Sequence, residues 1–210
     1  LGATLMRVSL AKPYSIKALH KHDEWIVQAK LDGVRAIFKD GNLSTRTGKT
    51  INAPEWFLNY LKETFWDHEV DGELVATSQI LFPEDARNKF QDVVSTVRKL
   101  KPVDQEWHYI TFCVFDIKMD LPYSDRYEYL NGIEMDYEYD HRYYSLKLGY
   151  CRHKSHYNNL AVPVAIIPTF GMQAAAWPDA MVQDFLKQSL SIGFEGIMLR
   201  NARSPWVEGR

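Results

Sequence analysis

Lys30, Asp32, Gly33 and Arg35 lie close together in the stretch WIVQAKLDGVRAIF, Trp25 to Phe38, whose other residues are mostly apolar. A lysine in an apolar strand must lower its pKa, extend its amine to water, or pair with an acid. A partly desolvated amine beside other cations is a nucleophile for an electrophilic phosphorus or carbonyl. Arg35 offers a planar fork for phosphate oxygens. Gly33, lacking a Cβ, lets a backbone come close to a ligand. A plainer reading stands beside this one: Lys30 and Asp32, two apart on a strand, share a face and can simply pair.

Other candidates are further along the chain. Glu73, in EVDGELV, alternates with Glu69 and Asp71 on one strand face. Such a row often faces solvent, yet a carboxylate is also a good acceptor for a sugar hydroxyl. Phe115, in YITFCVFDI, reads by default as core. Glu195, in FEGIMLR, reads as a surface acid at a turn after an amphipathic helix. Arg46, in STRTGK, fits a surface ion pair of little energetic value.

The elements that must position these residues follow from periodicity. Trp25–Leu31 and Val34–Lys39 read as strands joined at Asp32–Gly33, a dipeptide that favours hairpins. Asp40–Gly41–Asn42 turns into a third strand, Leu43–Arg46. Pro54 suits a helix start, and Trp56, Phe57, Tyr60, Leu61 and Phe65 then recur with helical period. His68–Val75 reads as a strand. A helix from Glu84 puts Phe90, Val93, Val94 and Val97 on one face. Tyr109–Ile117 is the most apolar strand, and Asp125 is placed to cap a helix running through Leu130. Met135–Asn159, rich in Tyr, His and charge, fits no clean period; its aromatic content permits stacking on nucleic acid or a lid, but a plain surface hairpin is the simpler reading. Val162–Pro168 reads as a strand. Asp179–Ser191 reads as a helix with Met181, Val182, Phe185, Leu186 and Leu190 on one side, and Gly196–Arg200 as a last strand. Mixed strands and helices with many hairpins argue α+β with antiparallel sheets, not a doubly wound parallel sheet.

Composition bounds the rest. A length of 210 residues supports one sizeable core or two small ones. With 46% hydrophobic and 25% charged residues, the chain is expected to fold and not to be disordered. No apolar run approaches the roughly 20 residues that span a bilayer, and the opening residues are too broken for a secretory signal. Cys113 and Cys151 have no CxxC or Cys/His spacing, which suits a reducing compartment and neither a disulfide scaffold nor a zinc site. The net charge of −2 gives no global sign of nucleic acid. The basic clusters Arg87–Lys89 and Arg98–Lys99–Lys101 read, on charge alone, as a solvated helix face.

K-x-D-G-x-R, from Lys30 to Arg35, resembles the first motif of the covalent nucleotidyltransferases, the ATP-dependent DNA ligases and messenger-RNA capping enzymes. The motifs that follow keep the family's order. STRTGK with Arg46 is similar to the short basic motif, and VDGEL with Glu73 to the third. CVFDI with Phe115 is similar to the aromatic motif, and FEGIMLR with Glu195 to the fourth. YSDRYEYL resembles a helix start common in DNA ligases, and the compact bacteriophage enzymes are the nearest likeness.

The resemblance implies an ATP-grasp-like nucleotidyltransferase fold, antiparallel sheets flanked by helices, in one adenylation domain over residues 1–210. The family's fifth motif, a K-x-K, and its OB-fold domain do not follow Glu195, so the sequence reads as cut from something longer. Lys30 is implied as the nucleophile that forms a lysyl-AMP. The nucleotide would lie against Gln28, Asp32, Gly33, Arg35, Arg46, Glu73, Phe115 and Glu195. Phe115 would stack on the purine. Gln28 stands near the adenine amine, where DNA ligases commonly carry Glu. Glu73 and Glu195 would hold magnesium or manganese. ATP is the implied AMP donor and nicked double-stranded DNA the implied partner, for a monomer in the cytoplasm of a bacterial or phage-infected cell, with no membrane. A GTP-using capping enzyme, an RNA ligase and a non-catalytic nucleic-acid-binding remnant are the alternatives.

Overall fold

The computed structural model describes residues 24–81, 89–133, 145–146, 149–150, 153–154, 163–167, 169–173 and 178–207. The apolar runs form strands: β1 (Trp25–Lys30), β2 (Val34–Lys39), β3 (Asn42–Thr45) and β4 (Thr50–Ile51). Helix α1 (Glu55–Phe65), β5 (Val70–Ala76), α2 (Thr77–Leu81), α3 (Phe90–Val97) and α4 (Asp104–Trp107) come next. Then follow β6 (Ile110–Ile117), α5 (Tyr123–Gly132), and the short strands β7 (Ser145–Leu146), β8 (Gly149–Tyr150) and β9 (His153–Lys154). The chain continues through β10 (Val164–Ile166), β11 (Thr169–Gln173), α6 (Asp179–Ser191) and β12 (Gly196–Asn201).

The strands build two sheets, ordered β12-β1-β11-β8-β7 and β4-β3-β2-β5-β6-β10-β9. The pairs are antiparallel except β10 on β6, which is parallel. This is the α+β architecture expected from the sequence. The core is centred on the longer sheet. There Phe57, Leu61 and Phe65 of α1 lie among Phe38, Trp107 and Phe112, all buried. Among the described residues no helix is long and apolar enough to cross a membrane.

The hairpin expected at Asp32–Gly33 does not form. β1 pairs with β11 and β12, whereas β2 pairs with β3 and β5, so the two strands lie in different sheets. A two-residue type I′ turn needs positive φ at both central positions. Asp40 and Gly41, between β2 and β3, have it, at 49° and 74°, while Asp32 and Gly33 do not. Gly33 is needed for a different reason: a Cβ there would sit 2.3 Å from the Leu74 carbonyl oxygen. The close approach that Gly33 permits in the structure is by β5.

Other expectations shift. Asp125 does not cap α5. Pro122 holds that place with no side-chain bond, and Asp125 lies in the first turn, where the helix dipole favours a carboxylate. Met181 and Leu190 of α6 are exposed, while Ser189 is buried and donates to the Gly196 carbonyl at 2.6 Å. Strand β11 has no counterpart in the sequence reading. The proposed helix start at Glu84, Arg87 of the first basic cluster and most of Met135–Asn159 lie outside the described residues.

One ion pair ties three segments together. Arg126 of α5, 2% exposed, forks onto Asp116 of β6 at 2.8 and 3.2 Å. Its NH1 also donates to the carbonyls of Leu121, at 2.5 Å, and Ser204, at 3.0 Å. Breaking a buried pair leaves the other charge uncompensated, at a cost of about 3–5 kcal/mol. Arg126→Met should therefore lower the unfolding free energy by that amount, read in urea as a lower midpoint with the slope unchanged. A loss under about 1 kcal/mol, the size of an exposed pair, would contradict the structural role.

Candidate active site

Where the chain passes from β1 to β2 a cavity of about 490 Å³ opens, lined by residues from both sheets. Lys30 ends β1, and β12 pairs beside it with Gly196 opposite Lys30. The Glu195 N–H donates to the Lys30 carbonyl at 3.0 Å. The two side chains meet at the cavity mouth, where the Lys30 ammonium ion-pairs with the Glu195 carboxylate, at 41% and 47% exposure. The lysine is not walled in by apolar side chains, as its neighbours in sequence suggest, and its partner is Glu195, not Asp32. A pair this exposed adds little stability. What it records is position: residues far apart in sequence are held together by a strand ladder.

Asp32 and Gly33 lie on the link between the sheets. Buried Gln79 of α2 clamps that link at two points. Its Nε2 donates to the Asp32 carbonyl at 2.7 Å, and its Oε1 accepts from the Asp32 N–H at 3.2 Å. Partial burial raises the Asp32 carboxyl and Glu195 raises it further, with Lys30 opposing.

β2 and β5 set Arg35 opposite Glu73. The Arg35 guanidinium forks onto Asp71, with Nε at 3.0 Å and NH2 at 2.5 Å. The row Glu69, Asp71, Glu73 is not a solvent-facing face. Asp71 is buried, and Glu69 pairs with Lys39 and Lys118. Burial pushes Glu73 up to about 8, against the pull of Arg35.

Phe115 sits at a β-bulge. Asp71 pairs with Asp116 and Gly72 with Val114, so β5 skips Phe115. A bulge re-aims a side chain and frees its backbone from the ladder. The Phe115 ring lines the cavity, and guanidinium carbons of Arg200 and Arg35 lie 4.7 and 5.3 Å from its centre. A base stacked on Phe115 would have to share or displace one of these cations. Gln28 is buried and also lines the cavity.

Arg46 is the one expected site residue outside the cavity lining; it is exposed in the turn between β3 and β4. A second cavity of about 490 Å³, near Ser78, Thr96 and Tyr109, contains none of the motif residues.

Among the described residues no three His, Cys, Asp or Glu side chains form a protein-only metal cage. Magnesium commonly keeps several waters and takes one or two carboxylates together with substrate phosphates. Glu73 and Glu195, sharing the cavity and electrostatically coupled, fit that kind of donor set.

Sequence reasoning missed Asp71, Asp116, Gln79, Tyr123, Arg126 and Arg200. Asp71 and Asp116 did carry a signal: an acid inside an apolar strand needs a cation. Gln79 carried none, because its partner is 47 positions away.

The Glu73 shift makes a stability prediction. Its folded-state value, about 8, lies above its ordinary value of 4.5. Between those values the folded chain keeps a proton that the unfolded chain releases, so stability falls as pH rises through that window. Glu73→Gln removes this contribution. Its stability relative to the parent should grow from pH 4.5 to about 8 and then level off, read by urea unfolding across pH. A difference independent of pH would show that Glu73 ionises normally.

Comparison with known proteins accords with this geometry. The family model for the ATP-dependent DNA ligase domain matches residues 8–158. A DNA ligase of Haemophilus influenzae is 30% identical over 93 residues, 44% of this chain and 29% of that protein. A solved Lig E DNA ligase superposes with a TM-score of 0.68 at 24% identity, covering 97% of this chain and 65% of that one. The Chlorella virus DNA ligase-adenylate gives 0.65 at 19% identity, covering 99% and 65%. The structural likenesses establish the fold, and the chain spans less than two thirds of the length of each of these relatives. Because the family model accounts for most of the sequence, the chain belongs to the ATP-dependent DNA ligase domain family.

Proposed function

We propose that this chain is the adenylation domain of an ATP-dependent DNA ligase, one unit over residues 1–210 that acts on nicked double-stranded DNA. One observation carries the reading. Lys30, Arg35, Glu73, Phe115 and Glu195, contributed by five separate segments, all line a single cavity.

In the first step the Lys30 Nζ, as the free amine, attacks the α-phosphorus of ATP. A P–N bond forms, the bond to the bridging oxygen breaks, pyrophosphate leaves with that electron pair, and the nitrogen releases one proton to solvent. To reach phosphorus the amine must give up its contact with Glu195. Arg35, held by Asp71, keeps donors free for phosphate oxygens, because the fork uses two of its five. Phe115 offers a ring face to the purine. A magnesium or manganese ion held by Glu73 and Glu195 would neutralise charge on the phosphates. AMP then passes to the 5′-phosphate at the nick, and the 3′-hydroxyl displaces it to seal the strand. Positioning and electrostatics account for most of the catalysis, as in other phosphoryl transfers.

Intact-protein mass after incubation with ATP and magnesium, beside GTP, tests this. The expected result is one AMP-sized addition, absent in Lys30→Ala and reduced in Glu195→Ala. An addition that survives Lys30→Ala would overturn the assignment of the nucleophile. A GMP-sized addition would turn the assignment to guanylyl transfer.

A further inference from the structure

The geometry points to Tyr123 as a positioning residue: its hydroxyl fixes which end of the Gln28 amide faces the cavity, and so sets position 28 as a hydrogen-bond acceptor toward a purine. This inference rests on the nucleotide-binding reading of the same cavity.

Tyr123 opens α5 and is buried. Its Oη lies 2.7 Å from the Phe115 carbonyl oxygen and 2.9 Å from the Gln28 amide, at the position of Oε1. Burial pushes the Tyr123 hydroxyl far above the ordinary phenol range, so it keeps its proton. That single proton cannot serve two acceptors fully. The Phe115 carbonyl can only accept, and the bulge has taken Phe115 out of the β5 ladder. The proton therefore goes to Phe115. The Tyr123 oxygen then presents a lone pair to Gln28, and an amide oxygen placed there would set acceptor against acceptor. An amide N–H would bond.

The two ends of an amide have the same shape, so the hydrogen-bond network assigns them. That assignment places Gln28 Nε2 on Tyr123 and Oε1 at the opposite position. In the structure that opposite atom is buried and has no hydrogen-bond partner among the described residues. Gln28 lines the cavity, although this atom is covered in the free chain, so a base that reaches it must bring a donor. The exocyclic amine of adenine is a donor, and O6 of guanine is an acceptor. Tyr123 touches neither base in this scheme; it acts through Gln28.

Two measurements decide it. The first needs no nucleotide. Tyr123→Phe removes only the hydroxyl, so the side-chain amide protons of Gln28 should lose their acceptor and shift upfield in ¹⁵N-resolved spectra. Resonances that stay in place would mean that the oxygen faces Tyr123, and would overturn the proposal. The second compares binding of ATP, GTP and purine riboside triphosphate, which has only hydrogen at C6. In Tyr123→Phe the preference for ATP over GTP should fall about tenfold to a hundredfold, the worth of one buried group left unpaired. Affinity for purine riboside triphosphate should hold. Equal losses for all three would show a merely structural role and overturn the proposal. If the parent bound none of the three, the nucleotide reading would fail, and the amide resonance alone would decide the orientation.

Discussion

Everything in this site depends on how the chain leaves one sheet and enters another. Lys30 is the last residue of β1, and Val34 already belongs to β2 in the other sheet. The link is too short to wander, so the side chains at its two ends must face a common seam. Three contacts hold it. The β12 ladder fixes Lys30 from one side, Gln79 clamps the Asp32 peptide, and the Leu74 carbonyl packs where Gly33 lacks a Cβ. None of these is strong alone, since a single hydrogen bond contributes about 1 kcal/mol net. Together they leave the link little freedom, and a reactive amine is useful only if its position is fixed to within a fraction of an ångström.

The wall behind the seam is built from buried charge, which is costly unless each ion is paired. Asp71 meets Arg35, and Asp116 meets Arg126, each through a fork. Arg200 lies 3.7 Å from Asp116 and over the rings of Phe115 and Tyr123. Burial raises Asp71 and the Arg35 fork opposes it. Such pairs add little net stability over apolar residues of the same volume. Their structural effect is to align guanidinium groups along one side of the cavity, where a flexible surface arginine could not be held.

The sequence revealed the elements better than their partners. Strands, helices and the motif residues were legible because periodicity and turn chemistry are local. The Asp40–Gly41 turn obeyed its dipeptide and Asp32–Gly33 did not, because long-range pairing of β1 with β11 and β12 outweighed a local preference. The burial of β1 on both faces was visible as a near-continuous apolar run and argued for partners on either side. Which strands they were was not visible. The environment of Lys30 was misjudged for the same reason: its neighbours in sequence are apolar, but its neighbour in space is Glu195. Tyr123 and Gln79 act through side-chain bonds spanning 95 and 47 positions, which no local pattern encodes.

The charge balance of the cavity bears on what can enter it. Asp32, Glu73 and Glu195 would together repel a polyphosphate if all were ionised. Burial shifts that balance: it pushes Glu73 up to about 8 and raises Asp32 as well. The guanidinium groups of Arg35 and Arg200 line the same cavity. A raised Glu73 beside guanidinium groups held in place makes the cavity less hostile to an anion than its residue types suggest. The shift is reversible. A cation near Glu73 would favour its ionised form and draw its proton off.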